Sequence, residues 1–179
     1  MARAFHVGGG GLLVAELEAR ERELLVFLLD ELTYLLAPTS TADAEDFLEH
    51  LQAQWQSAPI AKPTDPALSR LFPDAFPDDE QASADFRRFT EQNLRQLRAT
   101  RIAELRAVLD TDRIELTVDQ GHSVLQVLTD LRLVLGTRMD IRDENPRPPG
   151  DALALDVYDW LTWLQESLVQ ALFQLPRRA

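Results

Sequence analysis

Residues 23–36 read ELLVFLLDELTYLL, with Leu24, Leu25, Phe27, Leu28, Leu29, Leu32, Leu35 and Leu36 as the apolar positions. A helix over 19–36 carries these on a stripe too wide for a surface helix, so the pattern places it at the centre of a helical core. The rest of the chain reads as helices arranged around that core. Thr39, Ser40 and Thr41 offer capping oxygens, and Asp43, Glu45 and Asp46 suit the first turn of a helix reaching Trp55. Five prolines between 58 and 79 mark an irregular connection with one helical turn near 67–71. Further helices are expected over 80–109, 120–135 and 152–175, the last after the Pro-rich loop DENPRPPG at 143–150. Residues 1–17 form a β-hairpin turning at the glycines 8–11, and the alternating segment 114–118 is placed to add a third strand. A chain of 179 residues, 45% of them hydrophobic, buries one good core, and no internal repeat divides it. The expected fold is mainly α: a single domain over 1–179, about five helices with a small N-terminal hairpin or three-stranded sheet.

Catalytic and metal chemistry finds little to work with. No cysteine is present, which removes disulfides, thiolate ligands and thiol nucleophiles together. The glycine run is followed by Leu12, Leu13 and Val14, without the lysine that a phosphate loop needs, so a hairpin turn is the better reading. His6, His50 and His122 lie on three separate elements, and none pairs with another at the helical spacing that presents two imidazoles to one metal. Asp110, Asp112 and Asp119 lack the central glycine of a calcium loop and read as a solvated acidic turn. Ser123 adjoins His122, yet neighbours on a helix point in different directions, so they make no triad. No catalytic residue, metal site or cofactor is expected. A net charge of −12 repels nucleic acid, and direct binding to it is not expected. No run of eighteen apolar residues is present to span a membrane, and no secretory signal is visible, so a cytoplasmic location is expected.

The arginines are more informative. Arg87, Arg88, Arg95, Arg98, Arg101 and Arg106 fall on one broad arc of the helix over 80–109, together with Leu94, Leu97, Ile102 and Leu105. Basic groups interleaved with core leucines are expected to be half-buried, their stems on apolar surface and their guanidiniums on carboxylates from elsewhere. In the final helix Asp159, Thr162, Trp163 and Glu166 share one face, with Tyr158 and Gln165 beside it, while Trp160, Leu161, Leu164 and Leu168 form the core face. The apolar segment LTDLRLVLGTRM at 128–139 carries Arg132 and Arg138, and the expectation is a buried bidentate pair from one of them to Asp159 or Glu166.

Five blocks carry a resemblance: the glycines 8–10, LFPDAFPDD (71–79), FRRFTEQNLR (86–95), LRLVLGTR (131–138) and YDWLTWLQESLV (158–169). In this order they resemble an actinobacterial domain-of-unknown-function family, number two-zero-one-seven, over nearly the whole chain. Thr129 stands where the family pattern suggests asparagine, and the segment from Glu45 to Trp55 looks variable. Arginine in place of lysine everywhere but Lys62 fits the GC-rich coding of an actinomycete. The resemblance implies no enzyme activity. It implies a neighbourhood of genes for the Clp-protease adaptor and a sulfur-carrier route to cysteine, and one branch is linked to oxidative-stress transcription control through a sigma factor, using cysteines. A cysteine-free chain lacks that sensing chemistry but can keep the partner surface, for which Arg87, Arg88, Arg132, Arg138, Tyr158, Asp159, Trp163 and Glu166 are the candidates, whether bracing the fold or binding. The expected function is a non-enzymatic regulatory protein that contacts a protein partner, a sigma factor first. The alternative is an accessory or adaptor in Clp-type proteolysis, and an enzyme on a small metabolite ranks last. Self-association into a homo-oligomer is compatible with all three.

Overall fold

The computed structural model describes residues 3–37, 62–141 and 152–175. The capped helix expected over 39–55 and the loop at 143–150 lie outside the described residues, as does the first part of the connection at 58–79.

Strands β1 (Arg3–Val7) and β2 (Leu13–Glu16) form the hairpin, joined by a single turn at Gly9–Gly11. Gly10 and Gly11 have φ of 69° and 77°, the left-handed region where a Cβ is strained, which is why this turn takes glycine. Strand β3 (Arg113–Leu116) pairs antiparallel on the far side of β2, with Leu13 opposite Leu116 and Glu16 opposite Arg113. Its alternation turns Ile114 and Leu116 into the core and leaves Arg113 and Glu115 outside.

Five helices are present among the described residues: α1 (Ala19–Leu36), α2 (Pro66–Leu71), α3 (Glu80–Ala107), α4 (Val118–Arg138) and α5 (Ala152–Gln174). The starts of α2, α3 and α4 are set by capping side chains. Asp65 accepts from the N–H groups of Ala67 and Leu68 at 2.8 and 3.1 Å, with Pro66 at the first helical position. Asp79 accepts from Ala82 at 2.9 Å, and Thr117 and Gln120 form a reciprocal capping box that starts α4 before residue 120. Each such cap is worth about 1 kcal/mol.

The helix at the centre is α4, which packs against every other described helix and against β3. The expectation that α1 holds that place is corrected. Its buried face is Leu25, Leu29, Leu32 and Leu36, while Phe27 and Tyr34 are 57% and 83% exposed. A wide apolar stripe shows how much surface gains from burial, and does not require that every part of it be covered. Centrality goes to the helix with room for neighbours. A Cβ on Gly121 would lie 2.3 Å from Leu13 Cδ1, and one on Gly136 would lie 3.3 Å from Tyr158 Cε2. The two glycines thus let β2 and α5 approach the α4 backbone from either end.

At the β1 edge of the sheet, β1 lies on α5. A bulge between Arg3 and His6 interrupts its pairing with β2, and the buried Phe5 N–H donates instead to Ser167 Oγ at 3.1 Å. Ser167 passes its own proton to the Leu164 carbonyl at 2.8 Å, so both groups are satisfied inside the core.

Candidate functional site

The singled-out residues sort into three places. Arg87 and Arg88 lie on α3 above the connection that precedes it. Arg87 is buried and bonds Asp74, a carboxylate that also receives Lys62 Nζ at 2.6 Å. The hydrogen bond from Lys62 is the main influence on Asp74, and with the charge of Lys62 and the contact to Arg87 it outweighs desolvation, holding the carboxyl below its ordinary range. Arg88 lies over the Phe89 ring, 4.5 Å from its centroid.

Farther along α3, Arg95 donates twice to Glu91 Oε1, at 2.9 and 2.7 Å, and once to the Leu36 carbonyl at 2.9 Å. Arg98 reaches Asp130 on α4 at 2.9 Å and the Leu71 carbonyl at 3.2 Å, and Arg106 bonds Asp30 on α1. The buried Phe72 ring takes both Arg95 and Arg98, at 4.8 and 5.0 Å from its centroid. Leu94 and Leu97, expected on the core arc, are 38% and 44% exposed. The inward arc of this half of α3 is held by Arg87, Glu91, Arg95 and Arg98, because the facing elements offer rings, carbonyls and carboxylates that complete guanidiniums better than leucines.

The second place is the seam between α4 and α5. Arg132 spreads its guanidinium over three neutral acceptors: Thr162 Oγ1 at 3.0 Å, Gln165 Oε1 at 2.5 Å and the Tyr158 hydroxyl at 3.3 Å. It lies 5.1 Å from the centroid of the Tyr158 ring, and Gln165 turns its amide to Thr129 Oγ1 at 2.8 Å. The expected buried pair with Asp159 or Glu166 is therefore corrected. The positions that face α4 from α5 are Tyr158, Thr162 and Gln165, while both carboxylates stand on the exposed side of the same helix. Arg138 departs in another direction, to Asp65 Oδ2 at 2.6 Å, in a pair that is 48% and 29% exposed. It links the end of α4 to the cap of α2, beside an apolar groove of about 680 Å³ whose lining includes Leu32, Leu35, Leu68 and Leu131.

The third place is the outer face of α5. Asp156, Asp159, Trp163, Glu166, Gln170 and Phe173 recur at alternating steps of three and four residues, and all are exposed. Trp163 is 40% and Phe173 80% exposed, while Leu161, Leu164 and Leu168 on the opposite face are buried. Sequence reading found the middle of this stripe and missed Asp156, Gln170 and Phe173, which the same spacing marks. Among the described residues no three histidines, aspartates or glutamates come together as metal ligands would. Nor is any described helix long and apolar enough to cross a membrane.

Residues 2–172 match the family described as Domain of unknown function (DUF2017). The chain belongs to this family. Its relatives include two proteins named "Oxidative stress regulator AosR", from Mycobacterium bovis and Mycobacterium tuberculosis. Each is 32% identical to it over 177 residues, covering 88% of this chain and 81% of the relative. A Mycobacterium leprae relative is 34% identical over 171 residues, covering 85% of this chain and 78% of its own. No solved structure matches this DUF2017 chain. The family resemblance read from the five sequence blocks is thus confirmed, and regulator-named relatives support a regulatory role.

Proposed function

We propose that this protein is a non-enzymatic regulator in the cytoplasm that works by holding a protein partner, a transcription component such as a sigma factor, on the outer face of α5. The observation that carries this reading is the exposed stripe from Asp156 to Phe173. Its three–four spacing is the one by which a second helix docks along a first. Trp163 and Phe173 supply apolar contact area, and Asp156, Asp159 and Glu166 select a partner helix rich in arginine or lysine. A chain of net charge −12 also speeds encounter with such a partner. The names of the mycobacterial relatives support placing this regulation in the oxidative-stress response. Without cysteine, this chain does not read oxidant through a thiol of its own, so an oxidant signal reaches it through the partner.

The test is binding of purified sigma factors by the wild-type protein and by Trp163→Ala and Glu166→Lys. Both positions are exposed, so far-ultraviolet circular dichroism should be unchanged. The expected result is a complex with one sigma factor, weakened about tenfold or more by either substitution, since interface tryptophans often carry about 2 kcal/mol or more. Absence of any complex, with a Clp unfoldase or adaptor bound instead, would transfer the protein to proteolysis. Self-association through α5, seen by sizing, would make the stripe a homo-oligomer contact.

A further inference from the structure

A cavity of about 180 Å³ opens beside the α4–α5 seam, lined by Arg70, Arg132, Tyr158, Thr129, Thr137 and Gly136 among others, and, among the described residues, by no aspartate or glutamate. In a chain with 30 acidic and 18 basic residues, that lining is unusual. Four other described arginines that brace the fold have carboxylates: Arg87 has Asp74, Arg95 has Glu91, Arg98 has Asp130, and Arg138 has Asp65. Arg132 has only neutral acceptors, and Arg70 is exposed at the end of α2. Two cationic groups therefore face one small cavity with no described counter-charge.

The hydrogen-bond inventory shows what the cavity lacks. A guanidinium has five N–H donors, and Arg132 uses three, one each on Thr162, Gln165 and Tyr158. The Tyr158 hydroxyl accepts from Arg132 and keeps its own proton to donate. Thr129 and Thr137 already give their protons to the Leu125 and Leu133 carbonyls, at 2.8 and 2.7 Å, so they do not compete as donors. What remains is two N–H groups of Arg132, the fork of Arg70 and one phenol, all donors. Their complement is an acceptor carrying several oxygens and up to two negative charges.

We propose that Arg70, Arg132 and the Tyr158 hydroxyl form a binding site for a single phosphate group. Two guanidiniums match a dianion, and donors from three side chains suit a tetrahedral oxyanion better than a planar carboxylate. The cavity is smaller than the roughly 300–1,000 Å³ of pockets that enclose a drug-sized ligand, so it takes a head group and leaves anything attached outside. The negative net charge of the chain does not forbid this. Screening limits exposed charges to about 8–10 Å at physiological salt, and inside that distance the two arginines dominate. The free phosphate ion and the phosphate of a small monoester share this chemistry. The site lies in a different set of side chains from the proposed partner stripe and does not depend on it.

The experiment is an NMR titration of the whole protein with inorganic phosphate, glycerol phosphate or acetate, against sodium chloride at equal ionic strength. Saturable shifts of the amides of Gly136, Thr137 and Tyr158 are expected with phosphate and not with chloride. Arg70→Ala and Tyr158→Phe should each weaken binding about tenfold, the loss expected for a hydrogen bond to a charged group. Arg132→Lys should weaken it too, by keeping the charge and losing the fork. Arg20→Ala removes the same charge from an exposed position at the start of α1 and should leave the titration unchanged. Tighter binding of glycerol phosphate than of phosphate identifies an ester as the natural source, and the reverse identifies the free ion. No saturable shift, equal response to Arg20→Ala and Arg70→Ala, or acetate binding as tightly as phosphate would overturn the proposal. Arg70 is exposed and Tyr158→Phe removes one oxygen, so neither variant confuses loss of the site with loss of the fold.

Discussion

Asp65 caps α2 and pairs with Arg138 through a single carboxylate. Burial pushes its pKa upward, but the hydrogen bonds from Arg138, Leu68 and Ala67, with the Arg138 charge, outweigh that and hold it below 3.8. A carboxyl lowered by folding stabilises the native state above its unfolded pKa, and that stabilisation is lost as pH falls through the folded value. Asp65→Asn keeps a capping oxygen and removes the charge. In urea melts it should cost at most about 1 kcal/mol at pH 7, since the pair is partly exposed. The gap to wild type should close as the pH is taken below 3.8. Asp130 works in the opposite sense. Burial raises its pKa against the pull of Arg98, so its contribution falls as pH rises from 3.8 through the raised value. The two arginines of LTDLRLVLGTRM should also separate. Arg132→Ala removes a charged donor from three half-buried acceptors and should cost about 1.5–3 kcal/mol. Arg138→Ala breaks an exposed pair and should cost about 0–1 kcal/mol. Equal midpoints in a denaturant series would refute this ranking.

At the scale of elements, α4 is a hub because of where it lacks side chains. Gly121→Ala tests this directly. In an isolated helix the change gains about 1 kcal/mol of propensity. Here the new methyl would enter the space of Leu13, a side chain with no exposure at the centre of the sheet, and would lie 3.4 Å from Leu172. Overpacking of that kind typically costs about 1–3 kcal/mol, so a net loss of stability is expected and the melting temperature should drop. A higher melting temperature would mean that β2 moves away at no cost. The arginine-rich half of α3 makes the complementary point. Its inward arc is polar because Phe72, Asp74, Asp130 and the Leu36 carbonyl were there to receive it, and none of those partners lies on α3 itself.

For the whole molecule, the sheet, α4 and α5 share one cluster of buried residues that includes Leu13, Ile114, Leu128 and Leu164. Cooperative unfolding as one domain is the expected consequence. Circular dichroism and tryptophan fluorescence should report coincident transitions, and separated midpoints would divide the chain into two units. Much of this architecture was legible in local sequence. The glycine turn, the alternation at Ile114 and Leu116, and the leucine face of α5 are all set within a few residues, where backbone sterics and periodicity act. The caps Asp65, Asp79 and Thr117 were recognised only in the structure. Phe27 and Tyr34 on α1, the partners of Arg132 and Arg138, and the exposure of Leu94 were settled only by tertiary structure. Local periodicity gives each helix a face, and an arginine on that face has many acceptors within reach. Which acceptor it takes depends on the approach of elements distant in sequence: Arg138 meets Asp65 across 73 positions and Arg106 meets Asp30 across 76. The sequence by itself determined most of the described elements and the inner faces of β3 and α5. The folded chain alone decided which charges meet, because that depends on packing distances no single helix contains.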